Sequence, residues 1–399
     1  MVDNSVSGAY STAFLRITGI ETTAVRVPLR EPLKWTGGIR ESASGLIVEI
    51  NTDEGLVGLG EAPGPTLPAI QTIIDREFAQ FLAGEDPLRI EWLLHRLEEY
   101  SRNWSGLARY AIAGIEMALL DLKGKALGIS VAELLGGYCR EEVPVIGYLF
   151  IDDPAANADK AAAFVAAGHT ELKLKVGRDL GQDYDTLAAI RDRVGSNIKI
   201  RIDANMNWSV PAAVKWIRAL EQFDLQYVEQ PVPDFDLQGM AHVRRSVSVP
   251  IAADEGCTDL RSALELIKAE ACDVFVVYPS EAGGLTRACQ IATLAAAAGK
   301  WCAIGSWAEL GVATTANAHV VAASSNFPFA SDTHYPLQLN DVLSKAVEID
   351  HGKIAVSHDP GLGIVLDPEN VAYLAGLELR ESPFYDDIKG DAPSVGQIL

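Results

Sequence analysis

Short apolar runs recur through the middle of the chain at a nearly constant interval, and this repeat constrains the fold more than any other feature. The runs are PVIGYLFI, ELKLKV, KIRIDANM, LQYVEQP, PIAADE, CDVFVVYP and WCAIGSW. Polar residues close successive runs at Lys175, Asp203, Glu229, Asp254 and Tyr278, separated by 28, 26, 25 and 24 positions. A strand, a return helix and two loops need about that length. Helical patterns such as DYDTLAAIRDRVG, PAAVKWIRALEQF and TRACQIATLAAAAG fill the intervals. Buried, near-continuous strands alternating with helices form a parallel sheet. Seven strands with room for an eighth favour a closed, modified (β/α)8 (TIM-type) barrel over an open doubly wound sheet. No G-x-G-x-x-G follows the first strand, which argues against dinucleotide binding.

The flanks differ. Residues 1–15 read as a flexible tail. Residues 16–140 read as an α+β capping domain. In it SGLIVEIN and Leu56–Glu61 flank a Thr52-Asp53-Glu54-Gly55 turn, and LARYAIAGIEMALLDLKGKALG has helical spacing. The barrel is expected over residues 141–340, and residues 341–399 are expected to return to the cap. The 399 residues carry 33 Lys plus Arg against 54 Asp plus Glu, a net charge of −21. So acidic a chain has no footprint for nucleic acid and none for an anionic membrane surface. Leu310–Ser331 lacks formal charges but is too polar to span a bilayer. Five scattered cysteines and no signal-peptide pattern suit a cytoplasmic protein with reduced thiols. A symmetric homo-oligomer is the general expectation.

Active sites of such barrels lie at the C-terminal ends of the strands. Those ends hold Lys173-Leu174-Lys175, Asp203-Ala204-Asn205, Glu229-Gln230-Pro231 and Asp254-Glu255. Three carboxylates at one level repel one another without a cation. Oxygen-only ligands suit Mg²⁺, with Mn²⁺ second, and the absence of His or Cys there argues against zinc. A lysine beside another cation and a metal, partly desolvated, is expected to have a lowered pKa and to take a proton from carbon. Lys175 is the expected base. Lys173 would orient the carboxylate of a small substrate. As helix N-caps the three acids would be unremarkable, but Glu is a poor cap and Pro231 and Pro233 keep the chain extended after Glu229.

These residues resemble the enolase superfamily, and within it the muconate lactonizing enzyme and mandelate racemase-like family. Gly283-Gly284-Leu285-Thr286, GIEMALLDLKGKALG at 114–128 and PGLGIVLD at 360–367 support the resemblance. It implies a capping domain built from both termini, an irregular eighth βα unit, and one Mg²⁺ held by Asp203, Glu229 and Asp254. It also implies proton abstraction next to a carboxylate. One position departs. Muconate lactonizing-type members place a second lysine five residues before the Gly-Gly pair, and mandelate racemase-type members place Asp there, paired with a His on the seventh strand. Here the residue is Tyr278, and WCAIGSWAE holds no His. A phenol, with an ordinary pKa of about 10, is a poor base. Racemisation or epimerisation, which needs two bases, is therefore disfavoured. The expected reaction is β-elimination of water from a sugar acid or a hydroxylated amino or imino acid, with cycloisomerisation of a muconate-type diacid as the alternative. An inactive barrel kept as a structural protein would have no reason to retain three mutually repelling carboxylates.

Around this centre, Asn205, Glu255, Glu309, Tyr148 and Trp35 are the candidate substrate contacts. Trp35 lies in KWTGGIRES, where a cap loop could close over the barrel mouth. His169 and His319 read as structural histidines.

Overall fold

The computed structural model describes residues 15–104 and 106–377. Most of the expected N-terminal tail and the end of the C-terminal segment lie outside the described residues.

The cap begins with an antiparallel sheet of β1 (Ile17–Trp35), β2 (Gly38–Thr52) and β3 (Val57–Ala62). β2 and β3 are joined by the expected turn, where Gly55 takes φ +77°. The helix Leu107–Leu127 packs on β3. Its apolar and small residues are buried on nearly every face, because the sheet lies on one side and the barrel on the other.

Seven parallel strands follow in sequential order: Gly147–Leu149, Glu171–Lys175, Lys199–Asp203, Leu225–Glu229, Ile251–Ala253, Val274–Val277 and Trp301–Ile304. Residues 330–332 close the gap between the last and the first. Ile146 N–H donates to Ser331 O, Ser331 N–H to Pro144 O, and Asp332 N–H to Ile304 O, at 3.0, 2.8 and 3.0 Å. This is the irregular eighth unit, a brief bridge between first and seventh strands. Strand side chains alternate between the two faces. Phe275 and Val277 point outward into the main hydrophobic core, while Val274 and Val276 join Tyr227, Ala252 and Ala303 inside the barrel. The same alternation sends Lys173, Lys175, Asp203, Glu229 and Tyr278 inward.

Buried carboxylates from the cap dock it onto barrel helices. Glu61 of β3 accepts N–H bonds from Leu310 and Ala313, each at 2.8 Å, at the start of helix Gly311–Ala323. Glu116 accepts from Leu285 N–H and, at 3.0 Å, from Thr286 N–H at the start of helix Leu285–Ala297. Both helix ends gain acceptors for otherwise orphaned donors. Glycine is required at Gly284, which takes φ +134° and would place a Cβ only 2.2 Å from Glu116 Oε2. The motifs around 116 and 284 are therefore two halves of one joint. Toward the C-terminus, Lys353–Ala355 pairs with Glu142–Pro144, and helix Pro368–Ala375 rests on β1.

Candidate active site

Strand register builds the site. Lys175 pairs laterally with Asp203, and Asp203 with Glu229. Asp254 follows the fifth strand directly. The backbone is forced there: Asn205, Met206 and Gln230 adopt φ of 43°, 64° and 31°, conformations that non-glycine residues hold only when their surroundings fix them. Gln230 helps to fix them. Its Oε1 accepts from Asp254 N–H at 2.9 Å and Gly256 N–H at 3.2 Å, which ties the fourth strand to the fifth.

Asp203, Glu229 and Asp254 are buried, and each offers one oxygen within 4.8 Å of the others. Burial raises Glu229 well above the usual carboxylate range, and the neighbouring Asp203 and Asp254 add to this. Asp254 is raised likewise by burial and by Glu255 and Asp203. Asp203 moves the other way: burial would raise it, but the ammonium groups of Lys175 and Lys173 outweigh that and hold it low. Glu229 Oε2 is buried without a hydrogen-bond partner. An orphaned carboxylate oxygen facing two further acids fits an oxygen-seeking divalent cation, so the residues present suit Mg²⁺.

The two lysines have different surroundings. Lys173 is fully buried beneath the site, 2.5 Å from Glu229 Oε1, 2.7 Å from Asp332 Oδ2 and 3.1 Å from Asp203 Oδ2. In this position it braces carboxylates and does not line the cavity. Lys175 Nζ lies 2.5 Å from Asp203 Oδ2 and 2.8 Å from Asn205 Oδ1, and it does line the cavity. A lowered pKa for Lys175 is not what the protein groups alone produce. Burial lowers it, but Asp203, Tyr148 and Glu229 together outweigh burial and hold the ammonium above its ordinary value. Asn205 is placed to hold Lys175 and to face a substrate. It also donates to Glu255 Oε1 at 3.0 Å.

The cavity has a volume of about 240 Å³. The β1–β2 hairpin brings Leu33, Trp35 and Arg40 over the barrel mouth, anchored where Ile151 N–H donates to Lys34 O at 2.9 Å. Tyr148, Phe150, Trp307 and Tyr278 complete an aromatic wall, and Glu255 and Glu281 add carboxylates. The Tyr278 ring lies against Gly305, where a Cβ would come within 2.2 Å of it, so that position excludes any side chain. The Tyr278 hydroxyl has no hydrogen-bond partner among the described residues. Burial first, and Asp254 second, push its pKa well above the ordinary phenol value, so the phenol stays protonated. Glu281 accepts from Trp307 Nε1 at 2.7 Å and Tyr110 Oη at 3.1 Å.

Glu309 does not line this cavity. Its carboxylate lies behind the wall, bound to Ser306 Oγ at 2.5 Å and Trp307 N–H at 2.9 Å. His169 and His319 are structural as expected: His169 Nδ1 meets Val145 O at 2.9 Å, and His319 Nδ1 accepts from Ala132 N–H at 3.1 Å. Besides Arg40, Glu281 and Trp307, four further residues of the site are not among those expected from the sequence. Asp332 braces Lys173, Arg201 donates to Asp332 Oδ1 at 2.6 Å, and Ser306 and His334 line the cavity. Asp332 and His334 belong to the eighth unit, which has no strand-length apolar run to mark it.

An inward acidic triad and an inward lysine at the mouth of a parallel barrel mark an enzyme's site. Residues 156–371 match the enolase C-terminal domain-like family, and residues 17–136 match the mandelate racemase / muconate lactonizing enzyme N-terminal domain. The chain belongs to the mandelate racemase/muconate lactonizing enzyme family of the enolase superfamily. Among curated relatives, it is 32% identical to an N-succinyl-L-Arg/Lys racemase of Bacillus cereus, over 90% of this chain and 98% of the relative. It is 38% identical to a hydrophobic dipeptide epimerase of Enterococcus faecalis, over 78% and 88%. Among solved structures, muconate lactonizing enzyme from Pseudomonas fluorescens, complexed with muconolactone, superposes with a TM-score of 0.86 at 30% identity, covering 90% of this chain and 99% of the other. The relatives are racemases, epimerases and cycloisomerases, and the E. faecalis dipeptide epimerase was solved with Mg and the dipeptide L-Leu-L-Tyr. Among the described residues, no helix is long and apolar enough to cross a membrane.

Proposed function

We propose that this enzyme dehydrates a hydroxylated carboxylic acid, with Lys175 as the base and Tyr278 as the acid. One observation supports this most. Lys175 is the one lysine that lines the cavity among the described residues, and where the family resemblance places a second lysine stands a phenol with a free hydroxyl. In an eight-stranded barrel the second and sixth strands face each other, so Lys175 and Tyr278 address opposite sides of a bound substrate.

Mg²⁺ held by Asp203, Glu229 and Asp254 would supply the positive charge that makes a proton next to a carboxylate acidic and weakens the hold of Asp203 on Lys175. Lys175 takes the α proton. The electron pair left behind forms the α–β double bond as the β C–O bond breaks. Tyr278 gives its proton to the departing oxygen, which leaves as water, and the phenolate is then reprotonated from Lys175 or solvent. The aromatic wall excludes bulk water from this exchange.

Cycloisomerisation of an unsaturated diacid also needs only one proton-transferring residue, and the 33% identity to a muconate cycloisomerase of Acinetobacter lwoffii favours it. Glu255 and Glu281 in the cavity wall would repel the second carboxylate of such a substrate, so dehydration is preferred. The test is incubation with Mg²⁺ and a panel of sugar acids and hydroxylated amino and imino acids, with water loss followed by NMR. Water loss from at least one acid, abolished in Lys175→Ala, is the expected result. Ring closure of a muconate, with no water loss from any hydroxy acid, would replace this reading by the second.

A further inference from the structure

One cavity group has no part in the chemistry above. His334 follows the eighth unit, is 6% exposed, and lines the cavity beside Ser306. Its ring packs edge-on against Tyr148, with centroids 4.5 Å apart, and lies 5.8 Å from Phe150. Its Nδ1 is 2.8 Å from Ser306 Oγ. That hydroxyl has a single proton and two other neighbours: Glu309 Oε2 at 2.5 Å and Ala308 N–H at 3.1 Å. Burial raises the Glu309 carboxyl above its ordinary value, against the hydrogen bonds from Ser306 and Trp307 N–H and the charge of Arg40. Ionised, it only accepts, so the Ser306 proton points to Glu309 and Nδ1–H donates to Oγ. Trp307 N–H fixes the other Glu309 oxygen at 2.9 Å, so the ionised relay has one arrangement. The tautomer of His334 is thereby set, and Nε2 keeps its lone pair. Nε2 has no partner among the described residues. Burial, reinforced by Arg40, Lys175 and Lys173, holds the imidazole well below its ordinary pKa, so the ring stays neutral.

We propose that His334 Nε2 is a fixed hydrogen-bond acceptor for the substrate, selecting carboxylates that carry an O–H or N–H donor near the α carbon. The eighth unit lies between the first and seventh strands, a quarter-turn from both Lys175 and Tyr278. His334 therefore meets the substrate from the side, at neither of the faces where protons move. A substrate without a donor would leave Nε2 desolvated and unpaired, which weakens binding about ten- to a hundredfold. The inference rests on this cavity being the substrate site of the proposed dehydratase, but its test needs no turnover.

Four acids of equal carbon count serve as probes: butanoate, 3-hydroxybutanoate, L-2-aminobutanoate and L-threonine. Their binding to the Mg²⁺-loaded protein is measured by calorimetry. The expected result is that probes with a donor bind about tenfold or more tightly than butanoate. His334→Leu should bring all four within about twofold, and His334→Gln, which keeps an acceptor, should restore the order. A gain confined to the two hydroxylated probes identifies the donor as O–H, and a gain confined to the two amines identifies it as N–H; either supports the proposal. Equal affinities, no measurable binding of any probe, or a preference that survives His334→Leu would overturn it. Nitrogen NMR of the imidazole gives an independent check. An Nδ1–H tautomer in the wild type, lost in Ser306→Ala, is expected, and an Nε2–H tautomer in the wild type would overturn the proposal. Failure of dehydration with every hydroxy acid would leave these results standing.

Discussion

Lys173 and Lys175 show how two identical residues two positions apart acquire different duties. Both point inward by strand alternation, but Lys173 lies one layer deeper, where Glu229, Asp203 and Asp332 enclose it. Removing it leaves buried carboxylates without a counter-charge, which costs about 3–5 kcal/mol. Lys173→Met should therefore lower thermal stability as well as activity. Lys175→Ala also takes a counter-charge from Asp203, but Lys173 still faces that carboxylate. It should therefore lower the melting temperature less than Lys173→Met and reduce turnover by at least about 10³-fold, because it removes the proposed base. Comparing thermal melts with rates for both variants checks this division. The sequence made the pair visible through its register with three acids, but not the difference in depth. Depth depends on Asp332, which lies 159 positions from Lys173 in a unit with no periodic signal.

At the scale of elements, the strand–helix interval made seven barrel strands legible, because parallel strands buried on both faces read as apolar runs of fixed spacing. The eighth unit was not legible, since a single bridge at Ser331 needs no such run. That is why Asp332 and His334 escaped notice while Asp203, Glu229 and Asp254 did not. The roles of GIEMALLDLKG and the Gly-Gly pair were also hidden, because a joint between Glu116 and a helix end 169 positions away is invisible to local pattern. The joint is testable. Gly284→Ala would force a Cβ against the Glu116 carboxylate in a backbone conformation that L residues rarely adopt. It should cost about 2–4 kcal/mol, read as a loss of denaturation midpoint. Glu116→Ala should cost about 1–3 kcal/mol by leaving helix-end donors unpaired.

For the whole molecule, stability depends on pH through groups that link cap and barrel. His319 accepts the Ala132 N–H on Nδ1 and is held down to about 4 by burial. The unfolded chain, with an ordinary histidine, binds more protons than the folded one between pH of about 6.5 and 4. Its contribution is therefore fully present above the unfolded value and is lost as pH falls through that window. The loss is on the order of 3 kcal/mol. His319→Gln should lose less stability than the wild type as pH falls across that interval, read from the difference between their melting curves. The acidic triad acts in the opposite sense to a binding partner's absence: Mg²⁺ should raise the melting temperature with a dependence on its concentration. Asp254→Asn should abolish that rise, as measured by thermal melts with and without chelator.

The central claim is that proton transfer at carbon occurs on one face, by Lys175, and that Tyr278 serves the leaving group. Its most direct measurement is the stereochemical course of α-deuterium incorporation in D₂O for a substrate that loses water, compared between the wild type and Tyr278→Phe. Deuterium should enter with retention in both, no enantiomer should accumulate, and Tyr278→Phe should lose elimination about 10²-fold or more while keeping exchange. Accumulation of the α-inverted enantiomer in the wild type, lost in Tyr278→Phe, would contradict it and make the phenol a second base.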